Sequence, residues 1–125
     1  MAKKILIVDV SSTVRQQLSI ALGQAGFATI EAVNGVDALS KINDNKDVAM
    51  VVCDVNMPQM GGIEFLETMK REGKYPTLPI LMLTTEGQPA LMDQAKKAGA
   101  KGWMVKPFKP DLLVATANKL TKSTP

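Results

Sequence analysis

Five short runs rich in Val, Ile, Leu or Met recur along the chain, at residues 4–9 (KILIVD), 27–32 (FATIEA), 48–54 (VAMVVCD), 79–84 (PILMLT) and 102–105 (GWMV). The first, third and fourth are continuously apolar, where a strand with one wet face would alternate. They predict strands covered on both faces, as in a parallel sheet. Between the runs lie stretches with an apolar stripe at helical spacing. The first opens at Ser12, a residue type suited to an N-cap, carries Val14, Leu18, Leu22 and Ala25, and stops at Gly26. Further helices are predicted near residues 35–44 (Ala38, Leu39, Ile42), 62–72 (Ile63, Leu66, Met69), 88–98 (Leu91, Ala95, Ala98) and 110–121 (Leu113, Ala117, Leu120). Strand then helix, five times over, implies right-handed crossovers and an α/β architecture, a (βα)5 doubly wound parallel sheet of five strands. There is no linker, low-complexity stretch or further repeat, and 125 residues at 46% hydrophobic content suit one domain, 1–125, with a frayed end over 121–125.

Composition removes several function classes. The chain has no histidine, which excludes His-based triads, imidazole general bases and zinc sites built on His. Its chemistry must run on carboxylates, hydroxyls and lysine. The single cysteine, Cys53, excludes an intrachain disulfide, and its flank of Met50, Val51 and Val52 predicts a buried thiol in a cytoplasmic setting. Fifteen Lys and Arg against 12 Asp and Glu give a net charge of +3, but the lysines are scattered and lack interleaved aromatics, so no nucleic-acid partner is expected. The basic start MAKK is followed by an apolar run that Asp9 cuts short, and no segment reaches bilayer length, so no membrane partner is expected either.

In open α/β sheets the functional crevice lies at the carboxyl ends of the strands. Four of the runs end in, or just before, Asp9, Asp54, Thr84 and Lys106: two carboxylates, a hydroxyl and an ammonium. Polar residues often end strands, which accounts for any one of these, but the four together form a chemically coherent set. They sit in the motifs LIVDVSSTVR, VVCDVNMPQMGGIEFL, ILMLTTE and GWMVKPF, which resemble the receiver domain of bacterial two-component response regulators over essentially the whole chain. A chain ending soon after its fifth helix resembles the stand-alone, chemotaxis CheY-like type. The resemblance implies the flavodoxin-like strand order 2-1-3-4-5.

The resemblance also implies a role for each residue. Asp54 is the expected phosphoacceptor, since a carboxylate can attack a phosphoryl group once the repulsion between two anions is neutralised. Mg2+ is the expected cofactor, held by Asp9, Asp54 and the backbone carbonyl of Asn56. Lys106 would supply a fixed positive charge and Thr84 a hydroxyl donor to the phosphoryl oxygens. Trp103 occupies the aromatic switch position, filling space that Thr84 vacates. Pro58, Gly61 and Gly62 are expected to shape the loop beyond Asp54, the glycines through positive φ angles, and Lys106-Pro107 is a candidate cis peptide. Met104 and Val105 read as core, and Met57 and Met60 as loop packing. Expected partners are a histidine kinase as phosphodonor and a target protein at the face of the fourth helix, fifth strand and fifth helix, where Lys96, Lys97, Lys101, Lys109 and Lys119 cluster. Ordinary solvation explains most of those lysines. The protein is expected to be a monomer and to catalyse nothing beyond its own phosphorylation and dephosphorylation.

One position departs from the pattern. Receivers usually carry two adjacent acids after the first strand, and this chain has Asp9 followed by Val10. Val10 stands where the directly ligating acid is expected, which weakens Mg2+ binding and slows phosphorylation, because a small hard cation gives up its waters only for strong oxygen donors. That departure favours one alternative, an interaction protein that keeps the fold but signals without phosphorylation; a phosphorelay intermediate is a second alternative, since the single-domain receivers it resembles also serve in phosphorelays. A nucleotide or flavin enzyme fails for want of a Gly-rich phosphate loop after the first strand, where DVSSTV stands.

Overall fold

The structure is a computed structural model that describes residues 3–55, 57, 60–84 and 89–121. Among the described residues ten elements alternate strictly: β1 (Lys4–Val8), α1 (Ser12–Gln24), β2 (Ala28–Ala32), α2 (Gly35–Asp44), β3 (Val48–Asp54), α3 (Gly62–Glu72), β4 (Ile80–Thr84), α4 (Pro89–Lys97), β5 (Gly102–Val105) and α5 (Pro110–Thr121). The strands form one parallel sheet in the order β2-β1-β3-β4-β5, as the sequence predicts.

Continuous apolarity in the central strands has a direct cause. Successive side chains point to opposite faces, and each face carries its own core. Ile5, Ile7, Met50, Val52, Leu81, Leu83 and Met104 pack under Leu18 and Leu22 of α1 and Leu113 and Ala117 of α5. Leu6, Val8, Val51, Cys53, Ile80 and Met82 pack under Ala38 and Ile42 of α2, Phe65, Leu66 and Met69 of α3, and Ala95 and Ala98 of α4. Phe65 is fully buried, and truncating such a ring to alanine costs about 3–5 kcal/mol. Among the described residues no helix is long and apolar enough to cross a membrane.

Four local expectations are corrected. The N-cap of α1 is Ser11, whose hydroxyl accepts from the Val14 amide, and Ser12 is already helical. Val105 is 44% exposed rather than core, because β5 is an edge strand and Val105 shares the open side of Trp103, while Met104 points inward. Thr121 is not frayed: it ends α5, is buried, bonds Ala117 through its hydroxyl, and its carbonyl accepts from Lys3 Nζ. Residues 122–125 lie outside the described residues. The positive-φ reading of Gly61 and Gly62 also fails. Gly61 has φ −75°, and Gly62 opens α3 and is absent from the positive-φ glycines, which among the described residues are Gly26, Gly73 and Gly99. Gly62 is required for closeness instead: a Cβ there would lie 2.3 Å from the Asp54 carbonyl oxygen and 2.6 Å from Met82 Cε.

Candidate functional site

The strand order puts β1 and β3 side by side with Val8 opposite Cys53, so that Asp9 and Asp54 emerge together at the carboxyl edge. Thr84 ends the next strand and Lys106 follows the one after, in a register that sets Thr84 opposite Val105. The Lys106 amide donates to the Thr84 carbonyl at 2.6 Å, fixing the base of the lysine to β4, and the Lys106-Pro107 peptide is cis as expected.

Both carboxylates are withdrawn from solvent, Asp9 at 1% and Asp54 at 4% exposure. The ammonium of Lys106 reaches both, 2.9 Å from Asp9 Oδ2 and 3.3 Å from Asp54 Oδ1. Burial pulls the Lys106 pKa down, but Asp9 and Asp54 outweigh it and lift it above the ordinary lysine value. Asp9 Oδ1 accepts from the Ser11 amide at 2.8 Å, tying the acid to the start of α1. Asp9 Oδ2 meets the ammonium as an ion contact without forming a well-aligned hydrogen bond. Two carboxylates and one ammonium leave the cluster one net negative charge. Thr84 is fully buried at the same edge.

Arg15 belongs to this corner and escaped the sequence reading. Its Nη1 donates to the Asp9 carbonyl at 2.6 Å and its Nε to Glu31 Oε1 at 2.9 Å, clamping the end of β1 to β2. The signal was an arginine one turn into the helix that follows an acidic strand end. Val10, beside Asp9, is 52% exposed and presents methyl groups where a third carboxylate would stand. Among the described residues no set of three acidic or thiol ligands could hold a metal. The remaining donors still fit a hard cation weakly, with Asp9 Oδ2 a buried carboxylate oxygen lacking a hydrogen bond among the described residues and Asp54 beside it. Asn56 and Pro58 lie outside the described residues.

Trp103 sits on β5 opposite Met82, half-buried against the core, with its indole N–H buried and without an acceptor among the described residues. It lines a cavity of about 470 Å³ with Pro89, Met92, Asp93 and Lys96 of α4. Cys53 is fully buried, and burial, with the neighbouring Asp54 and Asp9 charges, pushes its thiol far above the ordinary range, as its apolar flank predicts.

This constellation has known relatives. The model of the response regulator receiver domain matches residues 5–118. The chain belongs to the response regulator receiver domain family. This receiver is 41% identical over 111 residues to a chemotaxis protein CheY homolog of Campylobacter jejuni, spanning 88% of this chain and 85% of that protein. It is 38% identical to chemotaxis protein CheY1 of Helicobacter pylori, over 88% and 90% of the two chains. Among solved structures, Vibrio cholerae chemotaxis protein CheY4 superposes with a TM-score of 0.89 at 39% identity, covering 96% of this chain and 99% of that one. A putative response regulator from Chloroflexus aurantiacus superposes with a TM-score of 0.92 at 32% identity, covering 98% and 100%. The receiver is thus a CheY-like signalling protein in kind, consistent with chemotaxis two-component signalling.

Proposed function

We propose that this receiver is a phosphorylation-switched response regulator that accepts a phosphoryl group on Asp54 from the phosphohistidine of a sensor kinase and then binds a target protein, in the cytoplasm and in chemotaxis. The observation that carries the reading is the Lys106 ammonium held between Asp9 and Asp54 at 2.9 and 3.3 Å in a member of this family. An Asp54 oxygen attacks phosphorus, the P–N bond to the donor imidazole breaks, and its electron pair stays on the imidazole nitrogen. Lys106 neutralises the anionic nucleophile and the incoming phosphoryl oxygens, at a site where burial strengthens each charge contact. Thr84 supplies a hydroxyl to the phosphoryl group, and its displacement frees room for Trp103 to turn inward. Mg2+, when bound by Asp9, Asp54 and the Asn56 carbonyl, supplies further neutralisation, and Val10 makes that binding weak. The partner face comprises α4, β5 and α5, where Trp103 lines a cavity with Lys96 and Val105 is exposed.

The test is phosphoryl incorporation from acetyl phosphate over a Mg2+ titration, on this chain, on Asp54→Asn and on Val10→Asp. Label is expected in this chain, lost in Asp54→Asn, and obtained at lower Mg2+ in Val10→Asp. Label that survives Asp54→Asn refutes the assignment of the acceptor. Val10 favours a second reading, a receiver that binds its partner without phosphorylation. Label confined to Val10→Asp would support that one.

A further inference from the structure

Met60, in the segment between Asp54 and α3, is held against the start of α2. The Gly35 amide donates to the Met60 carbonyl at 3.1 Å. Side chain and backbone meet there together, for a Cβ on Gly35 would lie 2.5, 2.8 and 2.8 Å from Met60 Cγ, Cβ and Sδ. Gly35 is buried, and it is locked in place by Asn34, whose side chain caps α2 by accepting from the Asp37 amide at 2.8 Å. The far end of the loop is drawn equally tight, with the Gly62 amide donating to the Val55 carbonyl at 2.9 Å. Gly35 is not among the positive-φ glycines, so backbone conformation does not demand glycine there. Helix propensity argues for alanine instead. What demands glycine is the approach of Met60.

We propose that Gly35 is a positioning residue for phosphoryl acceptance. By letting Met60 close onto the first turn of α2, it holds Met60, and with it the Val55–Gly62 closure next to Asp54, in the geometry that phosphoryl transfer to Asp54 requires. The inference rests on Asp54 being the phosphoacceptor. Its physical basis is that, among the described residues, the loop is anchored by the short Gly62–Val55 closure next to Asp54 and by the Gly35–Met60 latch further out. A methyl group at position 35 must push Met60 outward, because its close contacts include Cβ and Cγ near the backbone and not only the flexible tip. Displacement of this size at a reacting centre is costly in rate even where it is cheap in stability.

The experiment is a double-mutant cycle of Gly35→Ala and Met60→Ala, read by the rate of labelling from acetyl phosphate and by amide hydrogen exchange at Gly62. Gly35→Ala is expected to label about tenfold more slowly and to exchange faster at Gly62. Met60→Ala alone is expected to do the same more mildly, since it removes the cover but keeps the backbone bond. Combined, truncation at 60 removes the Cγ and Sδ contacts and leaves only the one to Cβ at 2.8 Å, so the double variant is expected to label faster than Gly35→Ala and to regain part of the parental rate. A residue of merely structural importance would lower stability in both single variants without that rescue of rate. Parental labelling by Gly35→Ala overturns the proposal, as does a folded double variant no faster than Gly35→Ala. If Gly35→Ala fails to fold, unchanged labelling and exchange in Met60→Ala overturn it equally. Absence of label in both the parent and Val10→Asp refutes the phosphoacceptor reading, and the latch with it, whereas a labelling parent isolates the latch.

Discussion

Replacing Lys106 by methionine keeps most of the side-chain stem and deletes the charge, which leaves Asp9 and Asp54 facing one another at 1% and 4% exposure. Removing one partner of a buried ion pair costs about 3–5 kcal/mol, because the charge left behind has lost both its water and its counter-ion. Here one ammonium serves two carboxylates at 2.9 and 3.3 Å, but its own side chain is 17% exposed and water can enter from the sheet edge. The lower end, about 3 kcal/mol, is therefore expected. With an unfolding entropy of about 2.1 cal/mol/K per residue, 125 residues give about 260 cal/mol/K and a fall in Tm of about 11 °C. The assay is calorimetry at neutral pH, with Lys97→Met as reference. That lysine pairs with Asp93 at 3.2 Å with both side chains largely exposed, and its loss costs about 0.5 kcal/mol or less. Added Mg2+ should restore part of the stability of Lys106→Met, since a cation can take up the abandoned oxygens. A fall in Tm no larger than that of Lys97→Met would refute the reasoning, and would mean that the carboxylates do not depend on the ammonium.

Three further outcomes follow from the same geometry. Val10→Asp adds a third carboxylate to a corner that already carries a net negative charge, so without Mg2+ it should unfold at lower urea by about 1 kcal/mol, and Mg2+ should reverse the order. Gly62→Ala, whose Cβ would fall 2.3 Å from the Asp54 carbonyl, should lose about 2 kcal/mol in urea titration, whereas Gly23→Ala, with nothing within 4 Å, should gain about 0.5–1 kcal/mol. The pKa of Lys106 is raised above 10.5, so its stabilising contribution is fully present below the unfolded lysine value and is lost as pH rises through the folded one. The stability gap between the parent and Lys106→Met should therefore be constant from neutral pH to about pH 10 and close above it. A gap unchanged at higher pH would contradict the sign.

The strands and helices were legible because each residue run answers to a single physical demand. Ile5, Leu6 and Ile7 must be covered on both sides, and Ala38, Leu39 and Ile42 must share a helix face, whatever else the chain does. The strand-end residues Asp9, Asp54, Thr84 and Lys106 were legible for the related reason that a parallel sheet brings its carboxyl ends to one edge. What sequence could not convey was proximity between elements remote in the chain. Gly61 and Gly62 looked like turn glycines, yet Gly62 is small because Met82 and the Asp54 carbonyl crowd it. Arg15 escaped notice because the Asp9 carbonyl and Glu31 that it spans lie at the ends of two separate strands. Val105 looked apolar and therefore buried, and only the edge position of β5 shows why it is not.

Cys53 lies one residue before Asp54 on the central strand, sealed beneath the helices on the α2–α3–α4 side of the sheet. A thiol so deeply placed cannot meet a water-borne alkylating reagent while the sheet is intact. The rate at which the native protein is alkylated therefore counts the moments when β3 comes free of its neighbours. Where closing is fast relative to the chemistry, that rate reports the free energy of opening the middle of the sheet in plain buffer, from a residue the chain already carries.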